Sequence, residues 1–111
     1  MSITKEMRLQ MACIKVFNLL KPKEHGLLYM NHQNPKSAMA GRQLKKMGLI
    51  PGVADLTYLS PQGAIFIELK TEDGRQSQYQ KEWQSKVEGA GYTYHVVKSI
   101  SDFCTIVGIE L

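Results

Sequence analysis

Residues 52–70 read GVADLTYLSPQGAIFIELK. Val, Ile, Phe, Tyr and Leu dominate both arms, and SPQG between them supplies the Pro and Gly of a turn, so residues 55–59 and 64–70 predict two adjacent strands of a hairpin. Three charges interrupt the apolar pattern. Asp55 heads the first strand, while Glu68 and Lys70 flank Leu69 near the end of the second. Each must reach solvent or serve a site.

Strand side chains alternate faces, so Glu68 and Lys70 point one way and Leu69 the other. If the neighbouring strand brings Asp55 alongside, two carboxylates converge, and they repel unless one is protonated or a cation lies between them. A hard divalent ion, Mg²⁺ or Mn²⁺, suits that arrangement because it takes a few carboxylate oxygens, keeps waters and completes its shell with substrate phosphate. The backbone carbonyl of Leu69 is a further candidate ligand. Lys70 would orient the attacking water and offset charge in the transition state. The competing reading is a surface hairpin with a Glu68/Lys70 salt bridge contributing about 0–1 kcal/mol. It accounts for that pair but leaves Asp55 unexplained.

Outward from the hairpin, Ser2 is the expected cap of a first helix with a core-facing stripe of Ile3, Met7, Met11, Ile14 and Phe17, ended by Pro22. Residues 26–32 (GLLYMNH) have strand length, and the polar QNPKS follows. Ser37 is placed to cap a basic helix, AMAGRQLKKM, closed by Gly48. Beyond the hairpin, TEDGRQ forms a loop and Ser77 caps a helix with Tyr79, Trp83, Lys86 and Val87 on one face. YTYHVV is the last strand, with His95 in a structural position, and the SISD pattern at Ser99 opens the last helix. The expected fold class is α/β: one domain over residues 1–111, a mixed central sheet flanked by helices in the order α-β-α-β-β-α-β-α.

The 111 residues are 43% hydrophobic and 22% charged, an ordinary globular balance sufficient for one core. No apolar run approaches the roughly 18 residues of a membrane span, and no signal-peptide pattern opens the chain, so a soluble, intracellular, cytoplasmic protein is expected, without membrane partners. Cys13 and Cys104 stand far apart and suit buried thiols rather than a zinc site or disulfide. The net charge of +4 is unevenly spread: residues 1–54 carry nine Lys/Arg against two acids, and residues 55–111 carry five against eight. Lys36, Arg42, Lys45 and Lys46 cluster around the second helix, a pattern that suits either a phosphate backbone or a solvated basic face.

The succession GVAD, ELK resembles the active-site pattern of the PD-(D/E)xK nuclease superfamily. Together with NHQNP, MGLIPGVAD, GRQSQYQKEWQ and a GY strand, it resembles the virus-type replication-and-repair nuclease domain, VRR-NUC, over nearly the whole chain. That resemblance implies a restriction-endonuclease-like sheet, with Asp55, Glu68 and Lys70 as the catalytic and metal-binding set. It implies that Gln80 bonds Lys70 or a phosphate, and that Glu6 of the first helix looks toward the cation. His32 and Asn34 are placed to approach substrate. The family commonly has Pro before the metal-binding Asp, where this chain has Ala54; Pro there mainly stiffens the backbone, so the geometry is expected to survive.

The function expected is a Mg²⁺- or Mn²⁺-dependent endodeoxyribonuclease, with Lys36, Arg42, Lys45, Lys46 and Arg75 contacting the DNA backbone and no small-molecule cofactor. The resemblance further implies a homodimer acting on branched DNA such as Holliday junctions, in replication, repair or recombination, and admits a viral or phage origin. Two alternatives stand beside it: a catalytically silent nucleic-acid-binding module, and a nuclease acting on RNA or linear duplex.

Overall fold

The structure, a computed structural model, describes residues 2–31 and 38–111. Four strands, β1 (Leu28–Met30), β2 (Leu56–Ser60), β3 (Gly63–Leu69) and β4 (Thr93–Val97), form one sheet in sequence order. The first three are antiparallel and β4 runs parallel to β3. Parallel neighbours need a crossover, which α3 (Gln78–Gly89) provides. Helices α1 (Lys5–Leu20), α2 (Ala38–Lys46) and α4 (Ile100–Val107) complete the expected order, with a 3-10 turn at Pro22–Glu24. No helix among the described residues is long and apolar enough to cross a membrane.

The sheet packs on both faces around its central strands, while Tyr29 and Met30 of β1 are exposed. On one face Leu56, Tyr58, Ile67, Leu69 and Val97 pack against Cys13 and Phe17 of α1 and Phe103, Cys104 and Val107 of α4. On the other, Tyr94, Phe66 and Val96 meet Trp83 and Val87 of α3 together with Ala54. Trp83 is accordingly a core residue, held edge-on to Phe66 with ring centroids 5.1 Å apart. Alternation along β3 therefore sends Ile65, Ile67 and Leu69 toward α1 and α4, and Phe66 and Glu68 toward the α3 side.

The first helix differs from expectation. Thr4, not Ser2, caps it by accepting from the Met7 amide at 3.1 Å. Its buried residues are Cys13 and Phe17, with Leu9, Ile14 and Val16 partly buried, whereas Ile3, Met7 and Met11 are exposed. The helix carries apolar side chains on two sides, and contact with the sheet and α4 selects the Leu9–Cys13–Phe17 side. Tyr79 and Lys86 of α3 also lie in solvent. The caps at Ser77 and Ser99 form as expected, and Ser37 lies outside the described residues.

At the end of the molecule where α1 stops, Lys21 Nζ donates to the Val107 carbonyl at 2.6 Å and to the Tyr58 hydroxyl at 3.3 Å. It pairs with Glu24 at 3.2 Å, and Tyr58 in turn donates to Glu24 at 2.6 Å. The Tyr58 hydrogen bond, with Lys21 adding to it, holds the Glu24 carboxyl below its ordinary pKa. Burial disfavours the Lys21 ammonium, but its bonds to Tyr58 and Glu24 outweigh that and raise its pKa. One ammonium thus joins α1, the 3-10 turn, β2 and the carbonyl end of α4.

Candidate active site

Asp55 immediately precedes β2. The pairing of Leu56 with Ile67 and Thr57 with Phe66, carried one step outward, sets Asp55 beside Glu68 on the same face. Its Oδ2 accepts from the Leu69 amide at 2.7 Å, so the head of one strand is tied to the residue between Glu68 and Lys70. The backbone around Asp55 is fixed from two sides. The Asn31 amide donates to the Asp55 carbonyl at 2.9 Å and Asn31 Nδ2 to the Ala54 carbonyl at 3.0 Å. Gly52, at φ +85°, lies so close to the first turn of α3 that a Cβ there would stand 2.4 Å from the Tyr79 carbonyl carbon. Only glycine meets both demands.

Glu68 is 0% exposed. Its Oε1 accepts from the Tyr94 hydroxyl and from Gln76 Nε2, the latter at 2.9 Å. Gln76 Nε2 also donates to Gln84 Oε1 at 2.8 Å. Burial, then the hydrogen bond and charge of Glu68, push the Tyr94 phenol well above its ordinary pKa, and the charge of Asp55 acts in the same direction. The phenol is therefore a donor throughout the pH range in which proteins function. The second oxygen, Oε2, is fully buried and accepts no hydrogen bond. It faces Lys70 Nζ at 3.7 Å, and that ammonium lies 3.9 Å from Glu6 Oε1.

The fold thus gathers Asp55, Glu68, Lys70 and Glu6, drawn from the β2–β3 hairpin and the first turn of α1. Gln80 is arranged differently from expectation. Its Oε1 accepts from the Ser77 amide at 2.7 Å while its own amide donates to Ser77 Oγ, a capping box that commits the side chain to its own helix rather than to Lys70. The glutamine that reaches the carboxylates is Gln76, four residues earlier. Leu69 buries its side chain on the opposite face, as alternation demands. Arg42, Lys45 and Lys46 on α2, and Arg75, are exposed. His32, Asn34 and Lys36 lie outside the described residues.

Sequence reasoning missed Tyr94, Gln76, Gln84 and Asn31. For Tyr94 there was a signal: alternation in YTYHVV puts it on one face with Val96, and a parallel partner would turn that face toward Glu68. For the glutamines there was none, since a surface glutamine and one turned inward look alike in a polar segment.

Among the described residues no group of three or more His, Cys, Asp or Glu side chains forms a ready-made metal cage. The donor set nevertheless fits a hard cation. A buried carboxylate oxygen without a hydrogen bond lies beside a second carboxylate, and two such ligands suffice for an ion that fills its remaining positions with water and phosphate.

No family model matches the chain, and no curated protein matches its sequence. Solved structures similar to it include two VRR_NUC domains. A "VRR_NUC domain protein" superposes with a TM-score of 0.74 at 20% identity, over 96% of this chain and 88% of its own. A "VRR_NUC domain" superposes with a TM-score of 0.64 at 21% identity, over 95% of this chain and 96% of its own. The mixed sheet and its flanking helices are thus arranged as in these two VRR_NUC structures, and this chain shares their fold.

Proposed function

We propose that the protein is a divalent-metal-dependent endodeoxyribonuclease. The observation that carries this reading is Glu68: a carboxylate buried beside Asp55, with one oxygen held by two donors and the other bare before Lys70. A carboxylate placed only for stability would be expected to have both oxygens satisfied. Asp55 and Glu68 would hold the ion, with Glu6 and the Leu69 carbonyl as supplementary ligands. When bound, Mg²⁺ or Mn²⁺ supplies a Lewis acid that offsets charge on the scissile phosphate.

The chain's own residues do the rest. Lys70, 13% exposed and set between two carboxylates, keeps an ammonium at the mouth of the site. There it orients the attacking water and stabilises the extra negative charge of the pentacovalent transition state. Asp55, fixed through Leu69 and Asn31, keeps its carboxylate in register with Glu68. Arg42, Lys45, Lys46 and Arg75, all exposed, suit contacts to the phosphate backbone. On the resemblance of the sequence to VRR-NUC domains, the reading extends to branched DNA cut by a homodimer, in which two symmetric sites would nick two strands.

The test is incubation of labelled duplex and four-way-junction DNA with Mg²⁺, Mn²⁺ or EDTA. Cleavage that EDTA and Asp55→Ala abolish, with DNA binding retained, supports the nuclease. Binding by the unsubstituted protein without a cut on any DNA substrate would leave the silent binding module in its place.

A further inference from the structure

We propose that Tyr94 and Gln76 are positioning residues that grip one oxygen of Glu68 and so aim the other at the cation, with Gln84 holding Gln76 in turn. The inference rests on the reading of Glu68 as a cation ligand. Tyr94 pairs with Phe66 in the parallel β3–β4 register, two residues before the pair of Glu68 and Val96 and therefore on the same face. Its hydroxyl reaches diagonally to Glu68 Oε1. Its ring is held in place by Trp83, with centroids 5.9 Å apart.

Gln76 acts from the loop before α3. Its Nε2 meets two acceptors, Glu68 Oε1 and Gln84 Oε1, and only an NH₂ group can serve both, so the amide has one orientation. Gln84 Nε2 continues the chain by donating to Glu88 Oε2 at 3.3 Å. A line of amides therefore runs from the surface of α3 to the buried carboxylate. If this network served only to offset the burial of a charge, its donors would be shared between the two oxygens. Both instead converge on Oε1, and Oε2 is left bare toward Lys70. Gripping one oxygen fixes the carboxylate plane and with it the direction of the other, which is how outer partners orient a metal ligand.

The experiment uses the full chain without DNA and reads free Mn²⁺ from its six-line electron paramagnetic resonance signal, with melting followed by circular dichroism. Tyr94→Phe keeps the ring and removes the hydroxyl; Gln76→Leu removes the amide. Each is expected to weaken Mn²⁺ binding about ten-fold or more while the protein still melts cooperatively. In cleavage assays the Mn²⁺ concentration for half-maximal rate should rise by the same factor. Affinities within about two-fold of the unsubstituted protein in both variants would overturn the proposal. Where either variant fails to fold, Gln84→Leu on the helix surface decides, because unchanged Mn²⁺ affinity there removes the role given to the amide line. Loss of binding in Glu68→Gln alone leaves the ligand reading standing while the positioning role falls. Absence of Mn²⁺ binding by the unsubstituted protein overturns both.

Discussion

The Leu69 amide donates to Asp55 Oδ2 at 2.7 Å, so a side chain proposed to hold a cation also closes the end of the hairpin. The two duties separate by substitution. Asp55→Asn retains an oxygen for the Leu69 amide and removes the charge; Asp55→Ala removes both. Cleavage should be lost in each. Asp55→Ala should additionally lose about 1–2 kcal/mol of stability relative to Asp55→Asn, measured by urea unfolding. Equal stabilities would show that the bond to Leu69 contributes nothing to the fold.

Gly52 decides where Asp55 stands, because the turn it makes passes against the backbone of Tyr79 and Gln80. Gly52→Ala meets that backbone and places an L side chain at φ +85°. A loss of about 2 kcal/mol or more is expected, with a fall in Tm on the order of 10 °C for a domain of this size. Calorimetry checks it, and a Tm within a degree of the unsubstituted protein would contradict the packing.

An ion that binds only the folded chain stabilises it by mass action. Manganese at one hundred times its dissociation constant should add about 2.7 kcal/mol, visible as a higher Tm. Glu68→Gln keeps an acceptor for Tyr94 and Gln76 but removes the charge at Oε2, so its Tm should no longer respond to the metal. A Tm that responds equally in both proteins would place the ion elsewhere.

The Glu24 carboxyl is held below its ordinary pKa by Tyr58 and Lys21, which means that the folded state favours its ionised form. That stability is fully present above the unfolded value of about 4.3 and is lost as pH falls through the lower folded value. Glu24→Gln should therefore be less stable than the unsubstituted protein near neutrality, with the difference shrinking below about pH 4. Tm measured between pH 2.5 and 7 reads this directly, and a difference that grows on acidification would reverse the sign assigned here.

Cys13 is fully buried, and desolvation first, then Cys104, push its thiol up to about 12. Thiolate is the reactive form, so neither burial nor ionisation favours attack in the folded protein. A thiol-reactive disulfide reagent at pH 8 should leave Cys13 and Cys104 unmodified and react with both once urea unfolds the chain. Fast modification of Cys13 in the native state would contradict the packing of α1 against α4.

The element order, the hairpin and the trio of Asp55, Glu68 and Lys70 could be read from residues alone, because turn chemistry, strand alternation and helix caps act over a few neighbours. The same locality explains what could not be read. Apolar periodicity in α1 fits two faces of the helix, and only the approach of the sheet and α4 chose Cys13 and Phe17 over Met7 and Met11. Gln80 and Gln76 are equivalent in a polar stretch until the Ser77 cap engages one and leaves the other to turn toward Glu68. Tyr94 meets that carboxylate from 26 positions away through a parallel pairing that no local pattern encodes. Local chemistry determined which charges would stand on the hairpin. Long-range register and packing decided which oxygen of Glu68 is held and which is left bare, because those contacts depend on how separate elements meet.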